Sequence, residues 1–312
     1  MLPLAGYGMK EIEQELCERH GVSTDVLMEV AGTAVAEVVL KHGVSIVGLI
    51  AGPGHNGGDA LTAGRHLIDR GIKLIIFSLQ KQSPKLTYLL SHGAQLCENM
   101  KPLRDADLLL DGLMGYGFRP PIRDQLAEYV EEMNQMGVPI LSIDLPSGLP
   151  PEGTVSEVTV RASETVFLGL PKRNSVTGLG LLASGEWSYH GLGFEAFFRS
   201  VKTGAYLVEG KDVSEMARRY SRRPYHKRDA GQVTAVVGSS RYRGASLLVA
   251  QTLIAMGAGL IHVKSSHDVE NWLVANHPQL IIGDAAGSFV IGPGLEDLDL
   301  ARNYAAREGL KS

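Results

Sequence analysis

The sequence contains little cysteine, few aromatic residues and no long apolar run. Cys17 and Cys97 are the only cysteines among 312 residues, which argues against a disulfide framework or a cysteine-based zinc site and predicts a reducing compartment. No run approaches the length of about 20 apolar residues that a membrane-spanning helix needs. The first ten residues also lack the charged and apolar segments of a signal peptide. We therefore expect a cytoplasmic protein without a membrane segment.

Excess charge of either sign is also lacking. A formal net charge of −4 creates no field that would select nucleic acid or an anionic membrane. The basic stretch 218–228 contains tyrosines, and an RNA-binding segment is one interpretation. Because the stretch is short and the rest of the chain is not basic, we interpret residues 213–228 as a solvated basic linker. The length then predicts two domains, residues 1–212 and residues 229–312.

Strand and helix patterns alternate along the first domain. Apolar spacing predicts two initial helices over residues 10–20 and 25–40, the second with Ser23, Thr24 or Asp25 as its cap. The later predicted elements are strand 44–50, helix 57–70, strand 72–78, helix 84–94, strand 107–110, helix 123–136, strand 139–143 and strand 164–168. This alternation predicts an α/β fold, a Rossmann-like doubly wound and mostly parallel sheet with right-handed crossovers. Ligands of such sheets bind beyond the carboxyl ends of the strands.

The first strand end is the glycine-rich turn at residues 52–59, which leads directly into a helix. Glycine lets the backbone approach a ligand closely, and the N–H groups at a helix start attract anions such as a pyrophosphate. A dinucleotide-like ligand is therefore the first hypothesis, although the spacing is not G-x-G-x-x-G. Asp59 would repel phosphate unless a cation or sugar hydroxyl lies between them. The alternative for Asn56 and Asp59 is simple helix capping.

Two further strand ends carry acidic residues, Asp111 and Asp144. Taken singly, an aspartate at a strand end is usually a turn former. Together the three ends predict a polar cleft at one sheet edge, which contains Asn56, Asp59, Asp111, Asp144 and Ser147. Such hard oxygen ligands suit an alkali or alkaline-earth cation better than zinc. Lys172, after strand 164–168, is interpreted either as a charge that meets a phosphate or as a solvated surface lysine.

Five ordered motifs carry a resemblance to a known family. They are LMEVAG (27–32), GPGHNGGDALTAGRHL, DGLMGYGFRPPI, SIDLPSGL and ETVFLGLPK. Together they resemble the YjeF N-terminal family, whose enzymes are NAD(P)H-hydrate epimerases, over about the first two hundred residues. The resemblance implies a Rossmann-like fold that interconverts the R and S forms of hydrated NADH or NADPH and binds potassium.

The resemblance also implies site residues. Potassium ligands would be Asn56, Asp111 and Ser147. The hydrated nucleotide would be held by His55, Asn56, Gly57, Gly58, Asp59, Gly115, Tyr116, Gly117, Phe118, Arg119, Pro120 and Pro121. Asp144 would lie against the reacting ring, and because inversion of a hydroxyl-bearing carbon beside nitrogen needs proton transfer, it is the candidate general acid/base. This sequence departs from the family pattern at four positions. It has His55 where the family usually has Asn, Ala60 where it has Gly, Tyr116 where it has Thr, and Asn174 where it has Gly. The bulky Tyr116 is the largest of these changes.

The second half resembles the opening of a ribokinase-like NAD(P)H-hydrate dehydratase domain, through HKRDAGQVTAVVGSSRYRGASLLVAQTLIAMGAGLIHV and FVIGPGLE. In that family Ala245 and Gly294 would be among the hydrate-binding positions. The later lysine segment and the G-T-G-D loop of the family are absent from these 312 residues. We therefore expect a partial ribokinase-like α/β domain and no ADP- or ATP-dependent dehydration by this chain alone. A partner chain or a second copy would cover the exposed sheet edge and apolar face, or the chain is a truncated product.

Two other function classes compete with an epimerase. A non-catalytic scaffold of the same fold would not need to keep the five polar residues of the cleft together. Two observations disfavour a dinucleotide-dependent oxidoreductase. The glycine spacing does not match G-x-G-x-x-G, and Phe77, Ser78 and Leu79 stand where a ribose-binding acid is expected. The sequence therefore predicts an enzyme that binds a small-molecule substrate, hydrated NADH or NADPH.

Overall fold

The computed structural model describes residues 1–122, 124–221, 226–285 and 287–307. The chain divides into two compact units, Met1–Ser214 and Glu215–Ser312. The predicted linker range 213–228 includes the end of a helix, Gly210–Ser221, and residues 222–225 of that range lie outside the described residues.

The first unit contains alternating strands and helices. Its strands are β1 (Leu2–Pro3), β2 (Ile46–Ala51), β3 (Lys73–Ser78), β4 (Gln95–Leu96), β5 (Leu108–Gly112), β6 (Ile140–Ile143), β7 (Glu164–Leu168), β8 (Glu186–His190) and β9 (Tyr206–Leu207). Its helices are α1 (Met9–His20), α2 (Thr24–Lys41), α3 (His55–Ile68), α4 (Pro84–Ser91), α5 (Asp124–Gln135), α6 (Gly178–Ser184), α7 (Glu195–Ser200) and α8 (Gly210–Ser221), the last of which crosses the boundary between the units. Two short 3₁₀ helices, Lys101–Asp105 and Asn174–Val176, complete the described elements.

Seven of the described strands of the first unit form a parallel sheet in the order β4-β3-β2-β5-β6-β7-β8, and the short strands β1 and β9 pair with each other in antiparallel. The first six follow the order 3-2-1-4-5-6 of a Rossmann fold, and β8 adds a seventh. The predicted doubly wound parallel sheet is thus confirmed. From β2 the chain adds β3 and β4 on one side and then returns to add β5 to β8 on the other side. The boundary between β2 and β5 is therefore the topological switch point, at which ligands bind in such folds.

Both faces of this sheet are covered by apolar cores. On one face, α3 packs against β2, β3 and β5, and α2 packs against α3 and β7. A Cβ on Gly32 would lie 2.5 Å from the Thr62 side chain, so α2 and α3 need glycine at their crossing. The Ser23 hydroxyl caps α2 by accepting a 3.3 Å hydrogen bond from Val26 N–H. Met133 of α5 belongs to the core on the other face. Burial on both faces explains why the central strands read as continuous apolar runs.

The second unit repeats the strand and helix alternation on a smaller scale. Its elements are β10 (Gln232–Val236), α9 (Arg243–Ala255), β11 (Leu260–Lys264), α10 (His267–Asn276), β12 (Leu280–Ile282), β13 (Ser288–Ile291) and α11 (Leu298–Arg307). The described strands pair in parallel in the order β12-β11-β10-β13. A core around Val263 and Leu273 holds the unit together. None of the described helices in either unit is long and apolar enough to cross a membrane.

Candidate functional site

A cavity of about 700 Å³ lies at the carboxyl ends of β2, β5 and β6 in the first unit. Leu27 and Met28 of α2 and Cys17 of α1 contribute an apolar wall. Polar and charged groups come from the turns that follow the three strands and from the start of α3. The cavity therefore occupies the expected ligand position of a parallel α/β sheet.

Backbone packing brings two of these turns together, and it depends on glycine. A Cβ on Gly52 would lie 1.8 Å from the carbonyl oxygen of Leu113, and one on Gly57 would lie 2.0 Å from the carbonyl oxygen of Gly52. Gly52 N–H donates a 3.0 Å hydrogen bond to the Gly112 carbonyl. Any side chain at these positions would separate the turns, so the glycines define the shape of the cavity at the switch point.

The start of α3 presents backbone donors to the cavity. Gln80 Nε2 donates to the carbonyl oxygens of Gly52, at 2.7 Å, and Gly54, at 2.9 Å, which fixes the turn before the helix. Gly54 is the N-cap, contributes no side-chain cap, and has open space where a Cβ would be. The first N–H groups of α3 therefore remain available to an anionic group of a ligand.

Asp111 is a fully buried carboxylate at the end of β5. It accepts four hydrogen bonds, from Leu113 N–H (3.2 Å), Ser142 Oγ (2.8 Å), Ser147 N–H (2.9 Å) and Ser147 Oγ (2.5 Å). Burial raises the pKa of Asp111, and these hydrogen bonds act against that rise. All four donors are neutral, and no cationic side chain in the described part of the chain pairs with this carboxylate.

Oxygen atoms cluster next to Asp111. Asn56 Nδ2 donates to the Met114 carbonyl at 2.7 Å, and Ser147 Oγ lies 3.4 Å from the same carbonyl oxygen. Asn56 Oδ1 accepts no hydrogen bond from the described residues. Carboxylate, hydroxyl and amide oxygens are the ligands that a hard cation prefers. The three predicted potassium ligands, Asn56, Asp111 and Ser147, are thus neighbours whose chemistry fits that ion. In the same described residues, no group of three or more His, Cys, Asp or Glu side chains could hold a metal ion.

Asp144 follows β6 with a backbone φ of 66°, the left-handed region that aspartate and asparagine tolerate better than other side chains. Its Oδ1 accepts hydrogen bonds from Lys172 Nζ and from Leu168 N–H, the latter at 3.3 Å. Its Oδ2 receives none from the residues that the structure describes. Because Asp144 lines the cavity, this oxygen is available to a ligand.

Lys172 forms a buried ion pair with Asp144. Its side chain is only 1% exposed, and Nζ also donates a 3.0 Å hydrogen bond to the Leu168 carbonyl. The surface-lysine interpretation of the sequence is therefore wrong. A fully buried ammonium is stable only when it is paired, so Lys172 fixes the position of the Asp144 carboxylate.

Glu13 of α1 is a cavity residue that the sequence did not indicate. Its Oε2 accepts a 2.7 Å hydrogen bond from the Tyr116 hydroxyl. Burial raises the pKa of Glu13, and the Tyr116 hydrogen bond partly opposes this rise. Burial and the nearby Glu13 carboxylate in turn raise the pKa of Tyr116. Tyr116 therefore remains a neutral donor and joins the loop after β5 to α1.

Asp59 also lines the cavity, from the first part of α3. Burial raises its pKa well above the ordinary value, and the carboxylates of Asp144 and Glu13 raise it further. In the described part of the chain, the Asp59 carboxyl group receives no hydrogen bond. The cavity thus contains one carboxylate paired with an ammonium and one carboxyl group without a partner.

The structure brings some of the predicted nucleotide-binding residues to the cavity and not others. Those that line it are His55, Asn56, Asp59, Gly115, Tyr116, Gly117, Phe118 and Asp144. Gly57 and Gly58 are buried in the first turn of α3. Arg119, Pro120 and Pro121 do not line the cavity, and the Arg119 guanidinium lies 3.7 Å from the centre of the Tyr7 ring. In the second unit, a Cβ on Gly294 would lie 2.6 Å from the Ala245 Cβ, so these two predicted positions are adjacent.

Comparison with known proteins gives consistent matches. Residues 24–174 match the family described as YjeF-related protein N-terminus. The chain is 30% identical over 297 residues to the bifunctional NAD(P)H-hydrate repair enzyme Nnr of Thermofilum pendens, covering 88% of this chain and 55% of that protein. It is 29% identical over 319 residues to the enzyme of the same name from Synechocystis, covering 96% of this chain and 60% of that protein. The chain therefore spans little more than half the length of these curated relatives.

A solved structure supports the same fold. The crystal structure of yeast ynu0 matches 56% of this chain and 84% of its own chain, with 27% sequence identity and a TM-score of 0.51. The resemblance read from the five motifs is thereby confirmed at the level of the family.

Proposed function

From the membership of residues 24–174 in the YjeF-related N-terminal family, we propose that the first unit interconverts the R and S forms of hydrated NADH and NADPH. The curated relatives are named as NAD(P)H-hydrate repair enzymes, and epimerisation is the reaction that makes both hydrate forms available to repair. The observation that carries the proposal is Asp144, whose Oδ2 accepts no hydrogen bond from the described residues at the cavity, while Lys172 donates to Oδ1.

Binding of the substrate is divided between two parts of the cavity. The open backbone donors at the start of α3 suit the pyrophosphate of a dinucleotide, and the apolar wall formed by Leu27 and Met28 suits a ring. With the pyrophosphate at the α3 start, the hydrated ring is brought towards Asp144. Residues of α1, α2 and the loop after β5 line the cavity around the position proposed for the ring.

Asp144 moves the proton that inversion requires. The carbon to be inverted bears a hydroxyl and is bonded to the ring nitrogen, so its configuration changes only when a proton leaves or joins the hydroxyl or the ring. Asp144 Oδ2 accepts the hydroxyl proton in this proposal. Lys172 orients the carboxylate through Oδ1, and the left-handed backbone at Asp144 sets the direction of the side chain.

Potassium is proposed as the bound cation, with Asn56, Asp111 and Ser147 as its side-chain ligands. Bound there, the ion supplies a positive charge that offsets the buried Asp111 carboxylate and stabilises the packing of the turns after β2 and β5. The all-oxygen donor set and the neutral donors around Asp111 support this assignment.

A direct assay tests the proposal. Purified protein is mixed with pure R-form hydrated NADPH and a series of potassium concentrations, and the S form is followed by chromatography against the uncatalysed rate. We expect potassium-dependent interconversion. ADP and ATP are then added to the same mixture, where recovery of NADPH would report dehydration. Binding of the hydrated nucleotide without acceleration would refute the epimerase and favour a scaffold of the same fold.

A further inference from the structure

Two carboxyl groups in the cavity have opposite surroundings. Asp144 follows β6, is paired with the buried ammonium of Lys172, and presents Oδ2 to the cavity. Asp59 lies one turn into α3 and lines the same cavity, and its carboxyl group has no hydrogen-bond donor among the described residues. Asp59, which the sequence suggested as a helix cap or as a partner of a sugar hydroxyl, therefore has a carboxyl group that can contact a ligand in the cavity.

The groups that face Asp59 come from four elements or turns. The carboxylates of Glu13 on α1 and Asp144 after β6 raise its pKa in addition to burial, whereas the ammonium groups of Lys85 on α4 and Lys172 after β7 lower it. The net effect is a pKa well above the ordinary value for aspartate. The raised pKa favours the protonated form of Asp59, whereas the Asp144 carboxylate is ion-paired with the buried Lys172 ammonium. Two carboxyl groups whose environments separate them in this way form an acid and base pair.

We propose that Asp59 is a second catalytic residue of the epimerisation, the acid that protonates the ring nitrogen while Asp144 removes the hydroxyl proton. This assignment rests on the proposed function. It follows from two carboxyl groups that line one cavity: one is bound to a buried ammonium, and the other receives no hydrogen bond from the described residues.

The step balances without any co-reactant. Asp144 takes the hydroxyl proton, the oxygen forms a carbonyl with the hydroxyl-bearing carbon, and the bond from that carbon to the ring nitrogen breaks. Its electron pair goes to the nitrogen, which receives the proton of Asp59. Rotation of the opened end presents the other face of the carbonyl. The nitrogen then re-forms its bond, Asp59 regains the nitrogen proton and Asp144 returns its proton to the oxygen. Both residues end in their starting states, as an isomerase requires.

Kinetics of the full chain with potassium present test the assignment. Asp59→Asn keeps the shape of the side chain and removes the transferable proton, so kcat should fall about 100-fold or more, with KM within about threefold. The matched control is Asp69→Asn at the other end of the same helix, an exposed carboxylate outside the cavity, which should leave both constants unchanged. The wild-type kcat should decline as pH rises through the raised pKa of Asp59, and Asp59→Asn should lack that decline.

The outcomes separate this inference from the proposed function. Wild-type acceleration with an Asp59→Asn kcat within threefold of wild type, or with a change in KM alone, overturns the role of Asp59 and leaves the epimerase standing. No wild-type acceleration overturns both.

A second measurement needs no turnover. Titration of the ¹³Cγ signals of aspartate-labelled protein, with Asp59→Asn to assign the resonance, should show Asp59 protonated well above the ordinary range of about 4. Titration of Asp59 within that ordinary range overturns the inference even if the variant is inactive.

Discussion

Lys172 and Asp144 are both buried, and each depends on the other for its counter-charge. Asp144→Asn keeps a side chain that tolerates the left-handed backbone but leaves the ammonium unpaired, so we expect a loss of about 3–5 kcal/mol in the free energy of unfolding. Lys172→Met should cost a similar amount. The double variant should recover much of the loss because no buried charge remains, with a coupling energy of about 2 kcal/mol or more.

Urea unfolding of the wild type, the two single variants and the double variant measures this coupling. In the epimerisation assay on folded samples, both variants that lack Asp144 should be inactive. If the two single losses simply add in the double variant, the ion pair does not hold Asp144, and its place in the mechanism needs another explanation.

The Tyr116 hydroxyl stabilises the ionised form of Glu13, and this stabilisation depends on pH. Burial raises the pKa of Glu13 and the Tyr116 hydrogen bond lowers it, so Tyr116→Phe should raise that pKa further. A raised carboxyl pKa in the folded state costs stability only above the unfolded value, where the group ionises on unfolding. Tyr116→Phe should therefore lose about 1.5–3 kcal/mol near pH 8 and clearly less near pH 4.

Denaturant titrations at both pH values check this prediction. Tyr88→Phe is the control, because its hydroxyl makes a long 3.4 Å contact with the exposed Asp69, and its effect should stay within about 0.5 kcal/mol at either pH. Equal losses for Tyr116→Phe at both pH values would mean that Glu13 is not ionised in the folded protein.

Side chains that follow strands were more predictable from the sequence than side chains on helices. Asn56, Asp111 and Ser147 could be placed together because the carboxyl ends of adjacent parallel strands meet at one sheet edge. Glu13 gave no such signal, because a glutamate on an amphipathic helix is ordinarily solvated and only the packing of α1 against the loop after β5 brings it to Tyr116. Lys172 was ambiguous for the same reason, since burial of a lysine is a tertiary property. The catalytic and binding roles of these residues stay predictions.

At the scale of elements, the contact between the turn after β2 and the first turn of α3 depends on Gly57. Gly57→Ala would place a Cβ 2.0 Å from the Gly52 carbonyl, and because that neighbour is backbone, the helix start must shift. We expect a loss of about 1–3 kcal/mol in stability and a larger proportional loss of substrate affinity. Gly54→Ala is the matched control, since its Cβ meets nothing within 4 Å.

Thermal unfolding and substrate binding of the two alanine variants provide the comparison. Gly54→Ala should cost less, about 0.5–1 kcal/mol, because alanine is poorer than glycine at an N-cap but meets no steric clash there. Equal effects of the two substitutions would show that helix propensity, and not the close backbone approach, decides the stability of this turn.

The long central elements were predictable and the peripheral ones were not. Strands β2, β3, β5, β6 and β7 are buried on both faces and so have apolar runs with turn residues at their ends. Strand β8 has half-exposed or exposed side chains, and β1, β4 and β9 are two residues long. Such strands form because a neighbouring strand offers hydrogen bonds, which no local pattern records.

At the scale of the whole molecule, every residue that lines the cavity belongs to the first unit. Stability of the second unit should therefore not determine the epimerisation rate. Leu273 and Leu67 are both fully buried leucines, one in the core of the second unit and one on α3 in the first. Replacement of either by alanine removes the same atoms and should cost its own unit about 2–5 kcal/mol.

Calorimetry and residual activity after graded heating distinguish the two variants. Leu67→Ala should lower the temperature at which epimerisation is lost, because its unit holds Asp144 and the start of α3. Leu273→Ala should lower an unfolding transition yet leave the rate within about twofold of wild type at moderate temperature. Loss of activity in parallel with the Leu273→Ala transition would show that the first unit needs a folded second unit to maintain its cavity, and the reaction would then have to be assigned to the chain as a whole.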